Sequence, residues 1–360
     1  MRIALLPAPV DHLVASWVGR ATTETTTETT TENGQAVTIT EHPHTVVLAR
    51  AHILWWYGLG ILWIIDALLQ AQPIMFTTSF ISNVLAPAAA GQPAWIVTPM
   101  LGGMRLWEQA PFLWNLGAIG VELLIGCLLL AGYSRPTWGR SGLILSVVWG
   151  LLVWCFGEGL GGLFVGSPTY LSGAPGSALL YVLLAGALLL PSAVWSSRHF
   201  LLVLRRAVGA LWAVGALFQL APLYWSPLGL ASVLQNVAMM PLPSGLAALD
   251  AQLVASMASA PALWNGAMSA VMFGLAGAFL LGRGGRPLYI FALAWLTFLW
   301  VVFQGVGMIF SGMATDPNTP LLWALLMLPG WFEVNTGSRV CLTNHESSQM
   351  TMEAMTTIAR

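Results

Sequence analysis

The chain alternates long apolar runs with short polar turns, a pattern typical of a protein that crosses a membrane many times. A membrane-spanning helix needs ~20 mostly apolar residues. Eight runs approach that length, with the fourth and eighth the shortest: about 47–71, 111–133, 141–165, 175–193, 200–222, 261–282, 287–311 and 318–335. The pattern therefore predicts an all-α integral membrane protein with eight transmembrane helices.

Composition agrees with the membrane class and excludes several others. The chain is 57% hydrophobic and 8% charged, whereas an ordinary soluble domain is roughly 25% charged. A net charge of −1 leaves no basic face for nucleic acid. The three cysteines, Cys127, Cys155 and Cys341, form no close pair, so neither a disulfide framework nor a metal site is expected. The expected partner is the lipid bilayer.

Basic residues predict the orientation of the chain. All 13 basic residues are arginines, which indicates a GC-rich, bacterial coding sequence. With eight spans, every arginine except Arg105 falls on one side of the membrane. Because basic loops stay on the cytoplasmic side, both termini are predicted to be cytoplasmic and the location is the bacterial inner membrane.

The membrane part reads as two copies of one four-helix unit. Similar residues recur in the same order at offsets of 146 to 151 positions: Trp63 with Trp212, Asn115 with Asn265, Arg135-Pro136 with Arg286-Pro287, Thr169 with Thr315, and Glu158 with Gln304. Units with an even number of spans have parallel topology and should be related by an axis along the membrane normal. The predicted units are residues 47–195 and 196–335.

Four further segments complete the predicted organisation. Polar tails occupy residues 1–46 and 336–360, and the Thr/Glu-rich composition of the first predicts disorder. The long loops 72–110 and 223–260 are too apolar for free loops in water. Short helices lying at the outer membrane surface are therefore expected within both loops.

Three acids lie inside the predicted spans of the first unit, Asp66, Glu122 and Glu158. Each would cost ~3 kcal/mol if ionised at a helix centre, so each should be protonated, paired or turned toward a wet cavity. The second unit has Gly215, Met272 and Gln304 at these positions. This asymmetry predicts a proton-active cluster in the first half. Protonated carboxyls that join helices through hydrogen bonds are the structural alternative.

Aromatic and amide side chains near these acids are candidates for holding a ligand. Trp149 and Trp154 share a helix with Glu158, and Gln70 follows Asp66 by one turn. Gln304 and Thr169 complete the candidate set, the latter in a turn-rich loop. The loops 166–177 and 311–320 follow the third helix of each unit, where they are expected to cap a site beside Glu158 and Gln304.

The run of residues 116–135, LGAIGVELLIGCLLLAGYSR, resembles the second-helix signature of the DoxX/DoxD-like membrane family. The resemblance rests on Glu122, a glycine four residues later, and Arg135 after an apolar run. It implies four-helix units, a quinone as cofactor and a redox partner protein, as for the small membrane subunit of thiosulfate:quinone oxidoreductase. Met272 departs from the pattern in the second unit.

Three functional hypotheses follow from these observations. The first is a redox- or quinone-linked membrane subunit that needs a partner for any catalysis. The second is a proton-coupled carrier that holds its substrate between the two units. The third is an assembly or scaffold subunit without catalysis.

Overall fold

The computed structural model describes residues 43–238 and 242–335, and all regular structure within these ranges is helical. The C-terminal tail, with Cys341, lies outside the described residues. The predicted disorder of the N-terminal tail also concerns residues outside them. An all-α fold is therefore confirmed for the described part of the chain.

Eleven helices form the body of the described chain. They are α1 Pro43–Gln70, α2 Ala94–Gln109, α3 Pro111–Gly132, α4 Pro136–Leu152, α5 Ser177–Leu188, α6 Arg198–Phe218, α7 Gly229–Ala238, α8 Ser244–Ser259, α9 Pro261–Leu281, α10 Gly285–Phe298 and α11, residues 319–335. Single turns lie between them: Pro73–Phe76, Ile81–Leu85, Ala86–Ala89, Val153–Gly157, Leu160–Gly162, Tyr170–Ser172, Ser192–Trp195, Pro222–Trp225, Leu299–Phe303 and Ile309–Ser311.

Six helical segments of the described chain are long and apolar enough to cross a membrane. They are Val46–Gln70, Pro111–Gly132, Pro136–Gly157, Arg198–Phe218, Pro261–Leu281 and Gly285–Phe303. The chain is therefore a multi-pass membrane protein. The predicted fourth span contains only the 12-residue helix α5, which extends ~18 Å, less than the ~30 Å of a bilayer core. Helix length thus does not confirm eight spans.

Helix α5 nevertheless begins and ends near opposite ends of the bundle. Its first residue, Ser177, contacts Glu158 at the end of the third span. Beyond its other end, Trp195 packs edge-on against Trp55 in the first half of α1, with ring centroids 5.3 Å apart.

The two halves of the chain contain the same polar joints. Gln70 Nε2 donates to Asn115 Oδ1 at 2.6 Å, and Asn115 Nδ2 donates to the backbone carbonyl of Gln70 at 3.1 Å. Gln219 and Asn265 exchange the same two bonds at 2.7 and 3.0 Å. All four side chains are buried. Each joint ties a first long helix to a second, α1 to α3 and α6 to α9.

A π-helical turn ends the third long helix of each half. Val153–Gly157 is followed by Glu158, and Leu299–Phe303 is followed by Gln304. The next residue in each case, Gly159 or Gly305, has a positive φ of 55° or 51°. Only glycine adopts this conformation at little cost. The turn therefore stops the helix and leaves the acid or amide at its very end.

Two arginines of the described chain, Arg205 and Arg286, lie near the end of α11. Arg205 lies 3.8 Å from Glu333 near the end of α11, and Arg286 lies over the Trp331 ring. Trp195 connects the two halves at this end, because it contacts both Trp55 and Phe200.

Candidate functional site

A cavity of about 500 Å³ lies in the first half, between helices α2 and α3 and the π turn after α4. Its volume falls in the range of small-molecule sites. Most of its walls are apolar or aromatic, and polar groups enter at only a few places. The lining residues are Gln70, Phe80, Val84, Leu85, Gly103, Met104, Leu106, Trp107, Trp114, Gly117, Ala118, Val121, Glu122, Trp149, Leu152, Val153, Phe156, Gly157, Glu158 and Thr315.

Two carboxyl groups reach this cavity, and each keeps one oxygen without a partner. Glu122, from the middle of α3, accepts a long hydrogen bond of 3.4 Å from Trp149 Nε1 at its Oε1. Its Oε2 is buried and has no partner. Glu158 also has a buried, unpartnered Oε2. A buried polar atom without a partner is costly, so both oxygens are suited to meeting a ligand or a proton.

The N-terminus of helix α5 holds the Glu158 carboxyl. Its Oε1 accepts hydrogen bonds from Ser177 Oγ at 2.6 Å and from the Ala178 backbone N–H at 3.0 Å. Backbone N–H groups at a helix N-terminus favour negative charge. A side chain at Gly176 would collide with Glu158 Oε2. This glycine therefore leaves room for the carboxyl as well as adopting a φ of 97°.

Asp66 lies behind the cavity and does not line it. The residue is 3% exposed, and its Oδ1 has no partner. The Tyr181 hydroxyl of α5 faces Asp66 without the geometry of a hydrogen bond. Glu122 and Glu158 are close enough to act on Asp66 electrostatically. The three acids that the sequence singles out therefore form one cluster.

A fourth acid, Asp316, joins this cluster from the second half of the chain. Its Oδ1 accepts a hydrogen bond from the Asn318 N–H at 2.7 Å, and its Oδ2 accepts one from Thr315 Oγ1 at 3.1 Å. Its charge acts on Asp66, Glu122 and Glu158. The adjacent Thr315 lines the cavity. The loop that follows α10 therefore contributes to the cavity wall.

Glu158 and Asp316 both lie beyond the ends of the spanning helices. Burial raises the pKa of each carboxyl above its ordinary value, because the charged form loses its hydration. The charge of Asp316 raises the pKa of Glu158 further. Both groups are therefore biased toward holding a proton.

The loop of the first half enters the second half in return. The Tyr170 hydroxyl donates to the Leu211 carbonyl at 2.8 Å, and Gln304 Nε2 donates to the Tyr170 carbonyl at 3.3 Å. The Tyr170 ring lies against Gly215, the residue that corresponds to Asp66. An aromatic ring thus fills the position that is acidic in the first half.

The structure separates the candidate residues into two groups. Gln70, Glu122, Trp149 and Glu158 line the cavity. Asp66 lies directly behind them, whereas the other three candidates bond elsewhere: Trp154 to the Pro175 carbonyl, Thr169 to Gln219, and Gln304 to the Tyr170 carbonyl.

Sequence reasoning missed Asp316 and Ser177, although it expected the loops 166–177 and 311–320 to cap a site beside Glu158 and Gln304. The available signal was an acid directly after Thr315, in a loop between two apolar helices. Among the described residues, no group of three or more His, Cys, Asp or Glu is arranged to hold a metal ion.

No protein-family model, no curated protein and no solved structure matches this chain. The resemblance to the DoxX/DoxD-like family stays a prediction. Any functional assignment thus rests on the cavity and its carboxyl groups.

Proposed function

We propose that the chain is a redox-linked subunit of a bacterial inner membrane and binds a quinone in its first half. The observation that carries the proposal is the apolar cavity of about 500 Å³ with two partly unpartnered carboxyl groups. The resemblance of residues 116–135 to the DoxX/DoxD-like family supports the same assignment.

The residues of the cavity fit a quinone head group. Such a molecule has an apolar ring and tail, and its two carbonyl oxygens accept hydrogen bonds. The cavity has aromatic walls at Trp107, Trp114 and Phe156. Donors are the Trp107 Nε1 group, which has no partner, and the protonated carboxyls of Glu122 and Glu158. A bound quinone would supply two-electron, two-proton chemistry, with the electrons taken from a partner protein.

The proposal includes a topology of eight passes in two parallel four-helix units, residues 47–195 and 196–335. Two of the passes are the short helices α5 and α11. The matching polar joints of the halves support the duplication, and the clustered arginines support cytoplasmic termini. A carrier with substrate between the units remains the alternative, but the cavity lies almost wholly within one unit.

Quinone binding is testable with decylubiquinone, a short-chain quinone, and the protein purified in mild detergent. Three tryptophans line the cavity, so binding should quench tryptophan fluorescence. Glu122→Met places in α3 the residue that the second half has at this position, and it should weaken binding about tenfold through one lost hydrogen bond. Met272→Leu is the matched control and should bind normally. Absence of quenching in the wild type would refute the proposal.

A further inference from the structure

The cavity of the first half has an exposed edge, and two membrane-spanning helices form it. Trp114 and Gly117 of α3 line the cavity and are exposed. Leu152 and Phe156, near the end of the next span, do the same. An exposed side chain on a spanning helix faces lipid, because the bilayer surrounds that surface. These residues therefore belong both to the cavity wall and to the lipid-facing surface.

This edge lies within the hydrocarbon layer. The spans Pro111–Gly132 and Pro136–Gly157 have 22 residues each, or ~33 Å, close to the ~30 Å of a bilayer core. Because the short turn 133–135 reverses the chain, the start of the first span and the end of the second lie on the same side. Gly117 is ~9 Å and Leu152 ~8 Å from that side, at 1.5 Å per helical residue.

Helix α2 covers the cavity toward the water. Its residues Met104 and Trp107 line the cavity, whereas Arg105 and Glu108 are exposed. A helix with one apolar and one charged face lies along a membrane surface. Trp107 stacks on Trp114 with ring centroids 6.4 Å apart, which joins α2 to the first turn of α3. Helix α2 thus separates the cavity from water and leaves the edge between the two spans to lipid.

Helix α3 leads from this edge to a carboxyl group. Gly117 is exposed, Val121 is half-buried and Glu122 is buried, ~8 Å deeper in the membrane than Gly117. All three line the cavity. A Cβ at Gly117 would meet no atom within 4 Å. The missing side chain therefore leaves a passage wide enough for an alkyl chain in front of Glu122.

We infer that a ligand enters this cavity sideways from the bilayer, through a mouth between Gly117 and Leu152. Its polar head group meets the carboxyl groups, and its apolar tail stays in the mouth and the surrounding lipid. The inference rests on the proposed function for the identity of the head group as a quinone ring. It adds the ligand class, a lipid-soluble amphiphile with a tail.

The mouth is testable with two quinones that share a head group. Gly117→Leu should weaken decylubiquinone binding, measured by tryptophan quenching, about tenfold, because the leucine occupies the space of the tail. The tailless 2,3-dimethoxy-5-methyl-1,4-benzoquinone should bind this variant and the wild type equally. Equal weakening of both quinones, or unchanged binding of decylubiquinone, would overturn the inference.

Gly120→Leu is the matched control for this substitution. Gly120 is exposed on the same helix, and a Cβ there would also meet no atom within 4 Å. It does not line the cavity. The control variant should therefore bind both quinones as the wild type does.

A second measurement needs no quinone. In phosphatidylcholine vesicles that contain a phospholipid with a diazirine at the end of one acyl chain, illumination should label Glu122, and mass spectrometry locates the adduct. Gly117→Leu should abolish this labelling. Leu152→Ala widens the mouth and should increase it, whereas Leu151→Ala, at an exposed neighbour outside the cavity wall, should not change it.

The two measurements separate the mouth from the quinone. An unlabelled Glu122 in the wild type, or labelling that neither Gly117→Leu nor Leu152→Ala changes, would contradict entry from the bilayer. Labelling that responds to both variants, without any decylubiquinone quenching in the wild type, would refute the quinone proposal and leave the mouth standing.

Discussion

At the scale of single residues, the site depends on where side chains are missing as much as on the acids themselves. Gly161 has a φ of 62°, and a Cβ there would collide with the carbonyl of Pro175, just ahead of helix α5. Its neighbour Gly162 has a φ of 70° but open space around it. Close packing at Gly161 holds the N-terminus of α5 against Glu158.

This pair of glycines separates backbone strain from crowding. Both Gly161→Ala and Gly162→Ala place an alanine at positive φ, at a cost of about 1–2 kcal/mol. Gly161→Ala should cost roughly another 1–3 kcal/mol, because the backbone of the Pro175 region must move. Thermal unfolding in detergent measures the difference as a lower Tm for Gly161→Ala. Equal Tm values for the two variants would show that the contact has no energetic weight.

The acids show what can be read from single residues. Asp66, Glu122 and Glu158 stand out in sequence because each interrupts an apolar run, where an isolated charge is costly. Asp316 does not stand out, because an acid in a polar loop needs no special explanation. Its importance follows only from the position of that loop in the folded chain.

At the scale of elements, buried amide joints hold the helix pairs together. Asn115 is fully buried and both donates to and accepts from Gln70. Asn265 does the same for Gln219 in the second half. The sequence match between Asn115 and Asn265 predicted equivalent positions, but not the partners, because a hydrogen bond across two helices depends on how the helices pack.

Removing either asparagine should destabilise its half to a similar extent. Asn115→Ala and Asn265→Ala each leave the buried Nε2 group of a glutamine without its asparagine acceptor, at a cost of about 1–2 kcal/mol, measurable as a lower Tm. Only Asn115→Ala should also weaken decylubiquinone quenching, because Gln70 lines the cavity. Equal loss of quenching in both variants would place the effect on general stability and not on the cavity.

At the scale of the whole molecule, exchanged loops join the two halves. Asp316 and Thr315 reach the site of the first half, and Tyr170 fills the corresponding space in the second. In the second half, an aromatic ring beside Gly215 and the buried Met272 occupy the positions that correspond to Asp66 and Glu122.

The proposed topology predicts which segments are accessible from outside the cell. Single cysteines placed in the loops 72–110 and 223–260 should react with an impermeant thiol reagent, in a background where Cys127, Cys155 and Cys341 are replaced. Cysteines in the turns 134–140 and 283–286 should react only after the membrane is permeabilised, because the clustered arginines stay on the cytoplasmic side. Labelling of the turns in intact cells would refute this orientation.

The sequence alone determined the membrane class, the long helices and three of the four acids, because hydropathy and the cost of a charge in lipid are properties of each segment. Only the tertiary structure decided which candidates meet. It gave Glu158 its hydrogen bonds from Ser177 and Ala178, kept Thr169 and Gln304 away from the cavity, and made α5 shorter than a membrane span. These outcomes depend on contacts between residues far apart in the chain, which the periodicity of a single segment does not encode.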